Sequence, residues 1–177
     1  MKDKILLVLI LFLGLNAFSQ NKHKTFNANI VFQRPDTSIW NLIKETEPNG
    51  NSKGSIVFKR KAIIDSLGRP VEPMMAIVIE NLHDSLDVVE YSVNYFGHAP
   101  YHLKYTLLGG YPEYSADKHS IIFNCEYIRE GTIHTILLGF IVYKGIGLQI
   151  ICDCTDSVYP KAQKDMRNFI KSVYLKM

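Results

Sequence analysis

The sequence predicts a single α/β domain, of the α+β kind, built on a largely antiparallel sheet of about six or seven strands with helices packed against it. Three observations predict it. Apolar runs of strand length recur through residues 20–177, several of them alternating with polar residues. The last three runs, Ile121 to Arg129, Ile133 to Tyr143 and Leu148 to Cys154, are separated only by short glycine-containing turns. Connections that short leave no room for a parallel crossover, so the three form an antiparallel meander. Two other segments repeat apolar residues at helical spacing behind capping residues.

The amino terminus is expected to be a signal peptide. Met1-Lys2-Asp3-Lys4 is a short charged lead, and Ile5 to Leu15 is apolar apart from Gly14. A bilayer-spanning helix needs about 20 apolar residues, whereas a secretory segment uses roughly 7 to 15 and ends on small residues. Ala17-Phe18-Ser19 supplies those small residues, so residues 1–19 are removed and the mature chain begins at Gln20. No membrane span is expected after cleavage, which places the protein in the periplasm or outside the cell. Residues 20–177 suffice for one core and form one domain.

Phe26 to Phe32 alternates and reads as the first strand, stopped by Arg34-Pro35-Asp36. Trp40 follows in an apolar patch with Ile39, Leu42 and Ile43; it belongs to the core, in either a strand or a short helix. Glu47 to Gly54 is the most turn-rich stretch and reads as a surface loop. Ser55 to Ile64 and Met74 to Glu80 are strands joined through Leu67-Gly68-Arg69-Pro70, and Met74 to Ile79 is apolar at both parities, as a strand covered on both faces would be. Asp84 or Ser85 caps a helix whose apolar positions are Leu86, Val89, Val93 and Phe96 and which stops at Gly97. Tyr101 to Leu108 is a further strand. In the middle strand of the meander Leu137 and Ile141 share one face while Ile136, Leu138, Phe140 and Val142 share the other, so both faces need cover. The last helix has Asp156-Ser157 as its cap, Pro160 in its first turn, and Ala162, Met166, Phe169, Ile170 and Val173 as its apolar stripe.

Charge and cysteine content exclude some functions. Cleavage lowers the formal charge of +3 by one, a balance that implies no acidic partner. Lys161, Lys164, Arg167 and Lys171 line the polar face of the last helix without interleaved aromatic residues, which suits a solvated face and not a nucleic-acid site. Cys125, Cys152 and Cys154 are an odd number in an oxidising compartment, so at least one thiol stays free or pairs with another molecule. Cys152 and Cys154 share a strand face with Leu148 and Ile150, as small core residues do.

The carboxy-terminal third then carries a resemblance. The glycine turn before Gly147-Leu148-Gln149-Ile150-Ile151-Cys152-Asp153-Cys154, the following Thr155-Asp156-Ser157, and a helix ending in Phe169-Ile170-Lys171-Ser172-Val173 resemble the PsbP-like superfamily, which includes bacterial periplasmic members of the DcrB type. Phe32, Pro35 and Trp40 look like that superfamily's aromatic strand, proline and tryptophan start. The resemblance implies a three-layer α/β/α sandwich around the antiparallel sheet, in agreement with the two-faced strands. It also implies accessory, assembly or binding roles with no shared catalytic motif.

No G-x-S-x-G, Walker loop, dinucleotide fingerprint or H-E-x-x-H helix occurs, so no cofactor or metal is assigned. His98 and His102 have the four-residue spacing of a metal pair on a helix, but Pro100 between them argues against that helix. Tyr91 to Tyr114 is the most unusual composition, with seven aromatic residues and both histidines. Tyr95, His98, His102, Tyr111 and Tyr114 are the candidate ligand or partner groove, weighed against ordinary aromatic packing. The leading expectation is an exported, non-enzymatic binding or accessory protein of the envelope, taking an envelope protein or a small amphipathic ligand. The alternatives are a hydrolase with a site near His98 and His102, which needs a carboxylate in hydrogen-bond reach of a histidine, and a purely structural envelope component.

Overall fold

A computed structural model describes residues 22–25, 29–49, 52–82, 86–99 and 102–176. The signal segment, the cleavage point at Gln20, Phe26 to Ala28, the cap candidates Asp84 and Ser85, and Tyr101 lie outside the described residues.

Seven strands form an antiparallel sheet: β3 (Trp40–Thr46), β4 (Gly54–Arg60), β7 (Met74–Asn81), β8 (Lys104–Gly109), β9 (Ser120–Arg129), β10 (Thr132–Tyr143) and β11 (Ile146–Thr155). Their order is β3-β4-β7-β11-β10-β9-β8. The expected meander is β9-β10-β11, with Ile136 paired to both Cys125 and Asp153. Helix α1 (Val88–His98) lies against β9 and β10 on one face of the sheet. Helix α2 (Tyr159–Ser172) covers the other face, beside a small sheet of β1 (Lys22–Thr25), β2 (Ile30–Gln33) and β12 (Tyr174–Leu175). The molecule is the expected α/β/α sandwich. A two-stranded hairpin of β5 (Ile63–Ile64) and β6 (Pro70–Val71) stands apart from it.

Strand parity divides the core in two. Ile56, Phe58, Met75, Ile77, Leu137, Ile141, Leu148, Ile150, Cys152 and Cys154 face α2 and pack on Met166, Phe169 and Ile170. Phe32, Phe58 and Phe169 meet edge to face at 5.7 to 6.1 Å, which ties the small sheet, the large sheet and the helix together. On the α1 side Tyr91, Phe123, Cys125, Tyr127, Ile136, Leu138 and Phe140 form the second cluster.

Several local expectations are corrected. Lys22–Thr25, just ahead of the run read as the first strand, is itself a strand because its backbone pairs with β2; hydrogen bonding and not apolar alternation makes it one. Trp40 opens β3 and is buried, with its indole N–H donating to Asp165 at 3.1 Å. The run from Ser55 to Ile64 breaks after Arg60. There the Asp65 carboxylate accepts from the amides of Leu67 and Arg69 and from Arg69 Nε, closing the β5-β6 turn. The cap of α1 is Asp87, whose Oδ1 accepts from Val89 N and Glu90 N, and the helix continues through Gly97 to His98. Its buried face is Tyr91 and Ser92 with Tyr95 and Phe96 packed beside them, while Val89 and Val93 point outward. The aromatic residues decide that face, because each buries far more apolar area than a valine. Finally, α2 has no side-chain cap: Asp156 accepts from the Thr135 hydroxyl instead, and Ser157 faces the Thr155 hydroxyl.

Candidate functional site

The structure does not bring the five candidate groove residues together. Tyr95 is half-buried in the α1-side core, with its ring 5.2 Å from that of Phe140. Tyr114 packs on the α2-side core, so the sheet separates the two tyrosines. His98 ends α1, exposed, with Nδ1 2.8 Å from the Asn94 carbonyl oxygen. His102 is exposed and borders a 230 Å³ hollow with Lys104, Glu126, Tyr127, Ile128 and Ile133. Tyr111, 60% exposed, lines a different concavity.

That concavity, of 250 Å³, and a second hollow, of 380 Å³, have Lys118, His119 and Tyr143 as a common wall; together they are called the groove. Tyr111, Asp117, Tyr174 and Leu175 complete the smaller; Leu86, Val88, Val142 and Lys144 border the larger. It is built by the segment between β8 and β9. Gly110 allows the chain to press on β9, because a Cβ there would lie 2.4 Å from the Ser120 carbonyl oxygen. Asp117 then braces the segment internally and ties it to β12. Its Oδ1 accepts from His119 N at 2.8 Å and its Oδ2 from Leu175 N of β12 at 2.9 Å. Ala116 N donates to the Lys171 carbonyl at the end of α2. The opposite wall is the β10-β11 turn, where Lys144 and Gly145 both have positive φ, 48° and 73°, the backbone of a tight hairpin turn.

Within the groove the His119 ring stacks on Tyr143, with centroids 4.6 Å apart, and Lys144 Nζ lies 5.1 Å from the centroid of Tyr143. His119 Nε2 is buried and has no hydrogen-bond partner among the described residues. Leaving such an atom unpaired costs about 1 to 3 kcal/mol. The two carboxylates at the groove, Asp87 and Asp117, are each taken by two backbone amides or an amide pair across elements. Lys118 and Lys144 make no ion pair among the described residues. The groove therefore presents two lysines and aromatic rings together with two carboxylates that backbone amides hold in place. Of its members the sequence reading singled out only Tyr111. A signal for the others existed in the meander: the register that pairs Thr132 with Arg129 continues to Ile141 with Ser120, which brings His119 beside Val142 and Tyr143.

A second polar cluster lies on the α1 side at the opposite end of β10. His134 Nδ1 is 3.0 Å from Asp153 Oδ1, Tyr127 donates to Asp153 Oδ2 at 2.6 Å, and the Tyr127 and His134 rings stack at 4.8 Å. Among the described residues the hydrogen bonds of His134 go to Asp153 and Tyr127, and no serine or cysteine takes part. A third cluster joins Tyr91, Gln149 and Glu80. The phenol donates to Glu80, Gln149 Nε2 donates to Glu80 at 3.0 Å, and Lys53 pairs with the same carboxylate at 2.8 Å. Burial, and then the Glu80 carboxylate, push the Tyr91 phenol well above the usual tyrosine range. Burial likewise raises the thiols, Cys125 and Cys154 to about 12 and Cys152 beyond that, and all three are free. No group of three or more metal-ligating side chains occurs among the described residues, and no described helix is long and apolar enough to cross a membrane.

No protein-family model matches the chain, and no curated protein matches it in sequence. Solved structures do resemble it. A protein of Bacteroides thetaiotaomicron VPI-5482 is 13% identical with a TM-score of 0.53, over 89% of this chain and 48% of that one. This chain thus spans about half of that structure. LpqN of Mycobacterium tuberculosis, described as involved in cell envelope biogenesis, is 14% identical over 88% of this chain and 90% of its own, with a TM-score of 0.49. The cyanobacterial PsbP of Synechocystis sp. PCC 6803 is 10% identical over 88% and 91%, with a TM-score of 0.47. The likeness is one of fold.

Proposed function

We propose that this protein is an exported, non-enzymatic binding or accessory protein of the cell envelope, and that it captures its partner or ligand in the groove between the 110–119 segment and the β10-β11 turn. The observation that carries the reading is the groove itself: two adjoining hollows with shared lysine, histidine and tyrosine walls, held by backbone bonds to Asp117 and therefore formed before anything binds. Preformed concave surfaces with a few convergent polar groups are where ligands bind. Export is supported by the short apolar segment Ile5 to Leu15 and the small residues Ala17 and Ser19.

The hydrolase reading draws support from one contact, His134 with Asp153 in hydrogen-bond reach. Tyr127 already donates to that aspartate, so the cluster is occupied from within and lacks a described serine or cysteine nucleophile.

Purification of the tagged protein from its native envelope, as wild type and as Tyr111→Ala, tests the groove. Retention of a specific partner or ligand by the wild type and its loss from the variant is the expected result. Equal retention by both, with the variant folded, would reject the groove as the binding site.

A further inference from the structure

We infer that the groove takes a small amphipathic anion, a carboxylate or phosphate head on an apolar body; this rests on the groove being the binding site and adds the class of ligand. Charge is the first argument. Lys118 borders both hollows and Lys144 borders the larger, so two ammonium groups stand around the junction of the groove. Neither is neutralised by an ion pair among the described residues. Asp87 and Asp117 also border the hollows, but their oxygens are held by backbone amides, Asp87 by two helix amides and Asp117 by His119 N and Leu175 N, and neither forms an ion pair with the lysines among the described residues. An anionic head at the junction could pair directly with Lys118 and Lys144, which have no carboxylate within ion-pair distance among the described residues.

Shape and polarity give the second argument. The larger hollow, 380 Å³, carries Leu86, Val88 and Val142 on its wall, so an apolar body extending from the junction buries hydrocarbon against hydrocarbon. The smaller, 250 Å³, carries Tyr111 and Tyr174, whose rings are apolar on the face and polar at the tip. A free inorganic anion would leave these walls uncovered, and a cationic amphipath would set like charges together.

Three single-chain probes of equal length separate the possibilities: dodecanoate, dodecyl phosphate and dodecyltrimethylammonium, each titrated below its micelle concentration into the mature protein by calorimetry, with acetate and inorganic phosphate as bare heads. The two anions are expected to bind, the cation and bare heads at least roughly tenfold more weakly, and the affinity should fall with added salt. Lys118→Gln with Lys144→Gln is expected to weaken both anions by roughly tenfold or more without altering the unfolding midpoint. Equal binding of anion and cation, unchanged affinity in the double lysine variant, or bare phosphate binding as tightly as dodecyl phosphate would each overturn the assignment. The outcome is separable from the groove reading: if the anions fail while Tyr111→Ala still abolishes retention from the envelope, the groove stands and its ligand is of another class.

Discussion

The three thiols sit where a thiolate is hardest to form. Cys125, Cys152 and Cys154 are 0 to 3% exposed, and the Cys152 Sγ lies 3.7 Å from the Met166 carbonyl oxygen. Only a thiolate attacks an alkylating reagent, so labelling of the native protein should be slow at all three and fast after denaturation. Fast labelling of any one in native protein would show that the core opens at that strand. The same burial couples stability to pH. The folded thiols stay protonated while unfolded thiols ionise above about 8.5, so the unfolded state binds fewer protons there and is favoured. The stability conferred by the neutral thiols is complete below that pH and is lost as pH rises toward about 12, where Cys125 and Cys154 titrate in the folded chain. Denaturation at pH 7 and 10 should show the fall, and replacing the cysteines by alanine or valine should flatten it. At the Glu80, Gln149 and Tyr91 cluster hydrogen bonds hold α1 to the sheet. Tyr91→Phe keeps the ring against Phe140 but takes the phenol from the buried Gln149 and the half-buried Glu80, a loss of about 1 to 3 kcal/mol that chemical denaturation measures.

At the scale of elements, the two helices test how a buried face is chosen. In α2 the stripe read from spacing is the stripe the structure buries, so Phe169→Ala, at the meeting of three rings, should cost about 3 to 5 kcal/mol. In α1 the spacing pointed to Leu86, Val89, Val93 and Phe96, whereas the structure buries the face with Tyr91, Tyr95 and Phe96 and leaves both valines exposed. Val93, 61% exposed, should therefore accept Glu with a change within about 0.5 kcal/mol, and a loss of several kcal/mol would mean that α1 packs through its valines after all. What was legible in the sequence was local: the β9-β10-β11 meander from its short turns, β7 from its two-sided apolarity, and the shared face of Cys152 and Cys154. What was not legible depended on distant partners. Thr135 draws Asp156 away from capping α2, β2 makes a strand of Lys22–Thr25, and Leu175 helps to hold Asp117 in the groove wall. Tyr95 and Tyr114 could not be separated without knowing which side of the sheet each segment lies on.

The groove is a property of the whole molecule, because both outer layers reach it at one end of the sheet. Leu86 and Val88 come from the α1 side, Tyr174 and Leu175 from the small sheet beside α2, His119 from the segment just before β9 and Tyr143 from the end of β10. Its shape therefore depends on folding, whereas its chemistry rests on exposed side chains, and two substitutions separate these contributions. Asp117→Ala removes the carboxylate that joins His119 N to Leu175 N, so it should lower stability by about 1 to 3 kcal/mol and loosen the wall of the proposed binding groove. Tyr111, exposed at the rim, supports no buried neighbour to the same degree. Tyr111→Ala should change unfolding stability by no more than about 0.5 kcal/mol while weakening capture of the partner by about 1 to 3 kcal/mol, the range of an aromatic contact at an interface. Paired denaturation and binding measurements on both variants decide the matter. If Tyr111→Ala lost stability in proportion to binding, its ring would be part of the packing that builds the 110–119 segment, and the selective contribution assigned to it in the groove would be wrong.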